Sequence, residues 1–215
     1  MSVNFEAKAF VSDLSELSFP NAFNPYSDIC GLHDLEDADA VRRDNLERAL
    51  GQAISLGVTS LWVARDLGYR GGRRTGLAMT DERHLQAHAA HLGLESFRKA
   101  TSTRMSKEGT AGAIWRAVDK SQDRVFLWNA FPLHPHEASK PMGNRKHTAS
   151  EAAAGMEFVL RLVRLLEPEH VIGIGQDADG LLRRAGISAV GVRHPSYGGA
   201  PEFRSQLASL YGWAS

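Results

Sequence analysis

Cysteine is nearly absent from this chain of 215 residues, which contains only Cys30. A single cysteine excludes an internal disulfide, a four-cysteine zinc site and a self-contained four-cysteine iron–sulfur cluster. Net charge is absent too, because 25 lysines and arginines balance 25 aspartates and glutamates. The chain therefore has no global field that favours nucleic acid or a membrane surface, and any site for a polyanion must be local.

Long apolar runs are missing as well, so no segment matches the apolar length of about 20 residues that a transmembrane helix needs. The amino-terminal residues include Glu6 and Asp13 and lack the basic and apolar regions of a signal peptide. A reducing cytoplasm suits the single cysteine, so we expect a cytoplasmic protein. With 43% hydrophobic residues, the chain can form one domain over residues 1–215. Turn-forming residues within 19–31 predict that residues 1–40 are an irregular N-terminal arm.

Strand and helix patterns alternate along the rest of the chain. The pattern predicts strands at 58–64, 124–129, 171–174 and 187–192. It predicts helices at 41–56, 81–92, 110–118, 178–185 and 201–211, and another that begins at a capping box on Thr148 and stops at Pro168. Such alternation is typical of a mostly parallel sheet with helices on both faces, in which ligands bind beyond the carboxyl ends of the strands.

Three polar residues fall at or just after the ends of different predicted strands, and a parallel sheet would bring them to one crevice. Asp66 can orient or partly deprotonate water, or stabilise a developing cation on a sugar ring. Asn129 can read the edge of a base with its amide. His194, in the sequence His-Pro-Ser, can present a ring nitrogen to an oxygen where negative charge develops. Each also has a structural alternative, namely a loop-bracing carboxylate, an asparagine turn and a surface loop.

Two short basic groups are candidates for phosphate contacts. The loop 70–74 combines three arginines with two glycines, which permit close backbone approach to phosphate, although a solvated loop would have the same composition. Arg145, Lys146 and His147 form the second group. A metal site at His134, His136 and His147 is the less favoured interpretation, because the spacing of the first two is not a recognised zinc pattern. Likewise, the glycines of 173–175 fit strand-to-helix packing better than dinucleotide binding, because no acidic residue follows at the next strand end.

Four segments, taken in order, resemble the uracil-DNA glycosylase superfamily: WVARDLGYRGGRRTGLAMTDE, FLWNAFPLHPHE, VIGIGQDA and VRHPSYGG. The resemblance extends over about 61–211. It implies an α/β fold, a three-layer α/β/α sandwich with a central mostly parallel sheet and DNA at the carboxyl edge. It further implies that Asp66 assists water attack, that Asn129 reads the flipped base and that His194 stabilises charge on the departing base. Ser196 and the loop through Gly199 would grip phosphate and enter the duplex.

We therefore expect two catalytic residues, Asp66 and His194. The expected base-binding residues are Arg65, Gly68, Tyr69, Met79 and Asn129. The expected DNA-binding residues are Arg70, Arg73, Arg74, Arg145, Lys146, Ser196, Tyr197 and Gly198. The mechanism needs no metal and no redox cofactor, and the expected partner is DNA with a modified or damaged base, bound by a monomer and without a membrane.

The chain departs from the familiar superfamily pattern at several positions. Ala64 stands where many relatives have glycine, Arg65 where glutamine or glutamate is familiar, and Leu67 where proline is common. Met79 occupies the region of a base-stacking phenylalanine. These departures leave the excised base open. We expect a base-excision repair enzyme that hydrolyses the N-glycosidic bond of uracil or a related base. The alternatives are a glycosylase for a modified cytosine in foreign (phage) DNA and a non-catalytic DNA-binding member of the superfamily.

Overall fold

The computed structural model describes residues 3–121 and 123–213. The strands are β1 (Ala22–Phe23), β2 (Ser60–Asp66), β3 (Val125–Phe131), β4 (His134–Pro135), β5 (His170–Ile174) and β6 (Val190–Val192). The helices are α1 (Val3–Ser15), α2 (Ala38–Leu56), α3 (Gly72–Thr75), α4 (Leu85–His91), α5 (Ala111–Lys120), α6 (Ala149–Leu166), α7 (Gln176–Arg184) and α8 (Ala200–Tyr211), with a 3₁₀ turn at Glu82–His84. None of the helices in these ranges has both the length and the hydropathy of a membrane span.

The centre of the fold is a four-stranded sheet in the order β3-β2-β5-β6. Every neighbouring pair in it is parallel, and the register of β2 places Ala64 beside Asn129 of β3. β1 and β4 form a separate antiparallel pair. Helices cover both faces of the sheet, so the predicted three-layer α/β/α sandwich around a parallel sheet is confirmed.

The alternation of side chains along β2 divides the core into two clusters. Leu61 and Val63 belong to a cluster with residues of α1, α2, α4, α6 and α7. Trp62 and Ala64 belong to a second cluster with residues of α5 and α8. Asp66 is the last residue of β2, and its carboxylate bonds to His147, which directly precedes the N-cap of α6.

The predicted irregular arm over residues 1–40 is wrong for Val3–Ser15, which forms α1. Phe10 of α1 is fully buried and makes edge contacts with Trp128 of β3 and Phe158 of α6, with ring centroids 5.4 and 5.3 Å apart. Met1 and Ser2 lie outside the described residues. From Leu17 to Asp37 the chain is irregular apart from β1 and a few turns. Helix α1 forms because its apolar residues recur at spacings of three and four, which lets one face of the helix be buried.

The glycines after β5 serve close packing. A Cβ atom on Gly173 would lie 2.8 Å from the Cα atom of Asp179, so only glycine lets α7 approach the strand this closely. Gly175 has a φ of +86° and begins the turn into α7. This geometry supports the packing interpretation of the segment over a dinucleotide fingerprint.

Candidate active site

A cleft of about 840 Å³ opens at the carboxyl edge of the sheet. Its walls come from the ends of β2, β3, β5 and β6 and from the segment before α5. Asp66, Asn129 and His194 all line it. Asn129 reaches the cleft because it follows Val125 and Leu127 along the α5 face of β3. The structure therefore brings together the three residues that the sequence placed on separate strand ends.

Hydrogen bonds from Ser196 fix the ring of His194 and its tautomer, with the proton on Nε2. The main-chain N–H of Ser196 donates to Nδ1 at 3.2 Å, and the Ser196 hydroxyl lies 2.7 Å from the same atom. Nδ1 is thus an acceptor, and the proton of the neutral ring lies on Nε2. Burial lowers the pKa of His194, and the positive charges of Arg65 and Arg193 lower it further. At neutral pH His194 is an uncharged hydrogen-bond donor.

Asn129 has one amide atom engaged and one free. Its Nδ2 group donates to the main-chain oxygen of Asp66 at 3.0 Å, which fixes the orientation of the amide. Its Oδ1 atom is buried and has no hydrogen-bond partner among the described residues. A buried acceptor without a partner costs about 1–3 kcal/mol, so a ligand N–H that reaches it is favoured. Because the Asn129 amide bonds to the main chain of β2, it does not form the local asparagine turn that is the alternative interpretation of this residue.

Asp66 is a buried carboxylate between two basic side chains. Arg65 donates from Nε to Oδ2 at 2.6 Å, and His147 donates from Nδ1 to Oδ1. Only 6% of the Asp66 side chain and 5% of the His147 side chain are exposed. Both carboxylate oxygens are therefore held in place, as a fixed negative charge at the cleft requires.

A second acidic residue, Asp177 at the start of α7, completes this network. Arg65 donates to Asp177 at 2.9 Å, and Lys146 pairs with the other oxygen of the same carboxylate. Hydrogen bonds from Lys146 and Arg65 lower the pKa of Asp177. Arg65 consequently bridges two carboxylates across the cleft, from the end of β2 to α7.

Three residues of the cleft region did not emerge as functional from the sequence. The sequence indicates His147 only as a metal ligand or as part of a basic group, yet its side chain bonds to Asp66. Asp177 falls within a glycine-rich segment whose pattern indicates packing. Glu108, which lines the cleft just before α5, falls in a segment with no recognisable pattern. Burial, together with the negative charge of Asp81, raises the pKa of Glu108 to about 7.

The predicted base-binding residues divide into two groups. Arg65, Gly68 and Met79 line the cleft with Asn129. Tyr69 lies outside the cleft lining, where its hydroxyl accepts a hydrogen bond from Arg70 at 2.6 Å and its ring tilts against His134. A direct contact between Tyr69 and a bound base would need this arrangement to change.

Among the predicted DNA-binding residues, those at the rim of the cleft are the best placed. Tyr197 lines the cleft mouth with 98% of its surface exposed, and Ser196 lies beside it. Lys146 and Arg70 are exposed, and Gly198 adjoins open space with a φ of +77°. Arg145 also lines the cleft, but its guanidinium pairs with the buried carboxylate of Glu151 at 2.6 Å.

The prediction that Arg73 contacts DNA is wrong, because its side chain faces inward. Arg73 is 6% exposed, and its Nη1 atom lies 2.9 Å from Nδ1 of His134 and 2.7 Å from the main-chain oxygen of Pro141. Its guanidinium stacks 3.9 Å from the ring centre of Phe23. Arg74 is partly buried and donates to Thr103 at 2.9 Å. Arg73 and Arg74 therefore stabilise the fold, whereas Arg70 is exposed.

Fold and cleft together define a class, a three-layer α/β/α protein with a polar cleft at the carboxyl edge of a parallel sheet. The crystal structure of wild-type SMUG2 from Pedobacter heparinus is similar, with a TM-score of 0.63. The superposition covers 99% of this chain and 97% of the SMUG2 chain, at 13% sequence identity. The similarity at this identity establishes a shared fold. No family model matches the chain, and no curated protein matches it in sequence.

Proposed function

We propose that this protein is a monofunctional DNA glycosylase that hydrolyses the N-glycosidic bond of uracil or a related modified base and leaves an abasic site. One observation carries the proposal: a fixed carboxylate, a free amide oxygen and a neutral imidazole N–H, from three different strand ends, line one cleft. The fold supports it, since SMUG2 is a glycosylase of the uracil-DNA glycosylase superfamily.

His194 would act on the leaving base. When the bond between C1′ and the base nitrogen breaks, its electron pair moves to the base, and negative charge develops on a base oxygen. A hydrogen bond from Nε2 of His194 stabilises that charge without first moving a proton. A preorganised donor of this kind typically contributes about 10²–10³ in rate.

Asp66 would act on the sugar. Loss of the base leaves positive charge on the ring, and a fixed carboxylate nearby stabilises it. Water then adds to C1′ while Asp66 accepts a hydrogen bond from it, and the proton that the water loses passes through solvent to the departing base anion, which becomes the neutral free base. Arg65 and His147 keep the carboxylate in place throughout. The products are the free base and an abasic deoxyribose, so the step consumes only water.

Asn129 would select the base. Its free Oδ1 atom accepts a hydrogen bond, so it favours a base with a ring N–H on the exposed edge. Uracil has such an N–H next to a carbonyl, and hypoxanthine has the same combination. A base lacking this donor would leave the buried oxygen unpaired.

The DNA must present its base outside the stack, at a cost of a few kcal/mol. Tyr197 is suited to fill the vacated space, because an exposed aromatic ring at a loop tip can stack on the neighbouring bases. The positively charged side chains of Arg70 and Lys146 would bind phosphate groups of the DNA backbone. We propose that the protein acts as a monomer with a single domain.

The test is base release from duplex and single-stranded oligonucleotides, each with one altered base. Wild type should generate abasic sites, and Asp66→Asn and His194→Ala should each slow release by about 10²–10³-fold. Asp44→Asn on α2 and His170→Ala at the start of β5, both exposed, are matched controls that should stay near wild type.

Each alternative predicts a different result. A wild-type protein that binds DNA but releases no base from the whole panel is a non-catalytic binding module. Release confined to modified cytosines favours the foreign-DNA alternative. Full activity in both Asp66→Asn and His194→Ala would refute the proposed mechanism.

A further inference from the structure

The side chain of Glu108 fills a space that exists because residues 68 and 71 are glycines. Its main-chain N–H donates to Asp81 at 2.7 Å, and its side chain extends toward the loop after β2. A Cβ atom on Gly68 would lie 1.9 Å from Oε1 of Glu108, and a Cβ atom on Gly71 would lie 2.2 Å from Oε2. The carboxyl group thus supplies the cleft wall where a side chain of residue 68 would otherwise begin.

The carboxyl group of Glu108 lacks any hydrogen-bond or ion-pair partner within residues 3–121 and 123–213, in contrast to Asp66, Asp81 and Asp177. Asp66 and Asp177 are each held by two basic groups, and Asp81 caps the 3₁₀ turn and pairs with His84 at 2.6 Å. An unpartnered carboxyl group that lines a ligand cleft, and whose pKa lies near neutrality, is an unusual arrangement for a purely structural residue.

We propose that Glu108, in its neutral form, donates a hydrogen bond to a carbonyl of the flipped base while Asn129 accepts one from the adjacent ring N–H. This assignment rests on the proposed glycosylase function and specifies its substrate class as bases with a C=O next to an N–H. The two side chains line the same cleft, and together they offer one donor and one acceptor. An ionised Glu108 would repel the carbonyl.

The electrostatic surroundings give this assignment a pH signature. Burial, and then the negative charge of Asp81 at the N-cap of the 3₁₀ turn, raise the pKa of Glu108. The other ionisable residues that line the cleft are Arg65, Asp66, Arg145, Asp177, Arg193, His194 and Tyr197. The pKa of His194 is lowered from its usual range, so its titration falls on the acid side. Activity on a carbonyl-bearing base should therefore decline as the pH rises through about 7, where Glu108 ionises.

The experiment is single-turnover release of uracil and hypoxanthine from duplex DNA between pH 5.5 and 9. Wild type should lose roughly tenfold in rate per pH unit above the Glu108 pKa. Glu108→Gln keeps a donor at every pH, so its alkaline decline should disappear. Glu108→Ala should be slow at all pH values. Glu95→Gln, an exposed glutamate away from the cleft, is the matched control and should keep the wild-type profile.

Gly68→Ala provides a second, independent variant. Its methyl group would displace the Glu108 carboxyl group, so it should slow the wild-type enzyme but have little further effect in Glu108→Ala. Binding to a duplex with a tetrahydrofuran abasic analogue should be equal in wild type and Glu108→Ala, because that site has no base to contact.

Two failures are distinguishable. If wild type releases no base, the proposed function fails. If wild type is active but Glu108→Gln keeps the alkaline decline, or Glu108→Ala loses affinity for the abasic analogue, only the inference about Glu108 is overturned.

Discussion

The loops that follow β2 and β6 contain similar residues but differ in how tightly they are packed. Both carry glycine and arginine and both border the cleft. In the β2 loop, residues 67–76, Arg73 is buried and the glycines meet packed atoms: a Cβ on Gly72 would lie 2.1 Å from Leu67. In the β6 loop, residues 193–199, Tyr197 is 98% exposed and Gly198 adjoins open space.

The two loops contain two kinds of glycine. A glycine whose missing Cβ is replaced by atoms of another segment is there for packing, as Gly68 is for Glu108. A glycine with positive φ and free space around it shapes a projecting loop, as Gly198 does after Tyr197. Binding to DNA should therefore depend more on the β6 loop, and folding stability more on the β2 loop.

The largest expected difference concerns stability. Arg73→Met retains an apolar stem but leaves Nδ1 of His134 and the oxygen of Pro141 without their donor, at a cost of about 2–3 kcal/mol in the free energy of unfolding. The pKa of His134, which burial and then Arg73 lower to about 3, should rise. Urea unfolding and NMR titration measure the two effects. Weaker DNA binding at unchanged stability would reverse the assignment of this loop.

The β6 loop should show the converse behaviour. Tyr197→Ala removes an exposed ring, so the free energy of unfolding should stay within about 0.5 kcal/mol of wild type. Affinity for duplex DNA with the tetrahydrofuran abasic analogue should fall by about 1–3 kcal/mol, the usual range for a stacking aromatic. Tyr197→Phe keeps the ring and should bind as wild type does. Fluorescence anisotropy with the abasic analogue measures the affinity. Equal binding by all three proteins would contradict the proposal that Tyr197 fills the space of the flipped base.

The sequence predicted much of the fold because its signals were local. The predicted capping box on Thr148 forms with Glu151, and the predicted strands fall within a few residues of the observed ones. Parallel topology then sufficed to bring Asp66, Asn129 and His194 together, because the carboxyl ends of parallel strands share one edge.

The direction of side chains in loops was not predictable. Composition favoured an exposed Arg73, but His134 and Pro141, over 60 residues away, draw it inward. The role of Glu108 depends on its contact with Gly68, forty residues earlier in the chain, and no periodic pattern records that contact. When the surroundings of a side chain come from distant segments, no local sequence pattern predicts its direction. Arg73 and Glu108 are both of this kind.

A smaller effect concerns the hydrogen bond by which Ser196 of the β6 loop orients the ring of His194. Ser196→Ala removes the hydroxyl that hydrogen-bonds to Nδ1 of His194 but keeps the main-chain N–H, so base release should slow by about fivefold, which corresponds to about 1 kcal/mol. Because that hydroxyl favours the neutral ring, its loss should raise the pKa of His194. Nitrogen-15 chemical shifts of the imidazole report both tautomer and pKa. An unchanged pKa with weakened DNA binding would instead assign Ser196 to phosphate.

The smallest expected effect separates exposed from buried arginines within the β2 loop itself. Arg70 is exposed and contacts Tyr69, whereas Arg73 is enclosed three residues later. If Arg70 neutralises one phosphate, Arg70→Ala should reduce the salt dependence of log Kd by about one and leave unfolding unchanged. Arg164→Ala, exposed on α6, is the control and should alter neither quantity. A salt slope that also stays constant in Arg70→Ala would mean that Arg70, the exposed arginine of the β2 loop, does not contact DNA, and this would strengthen the contrast between the two loops.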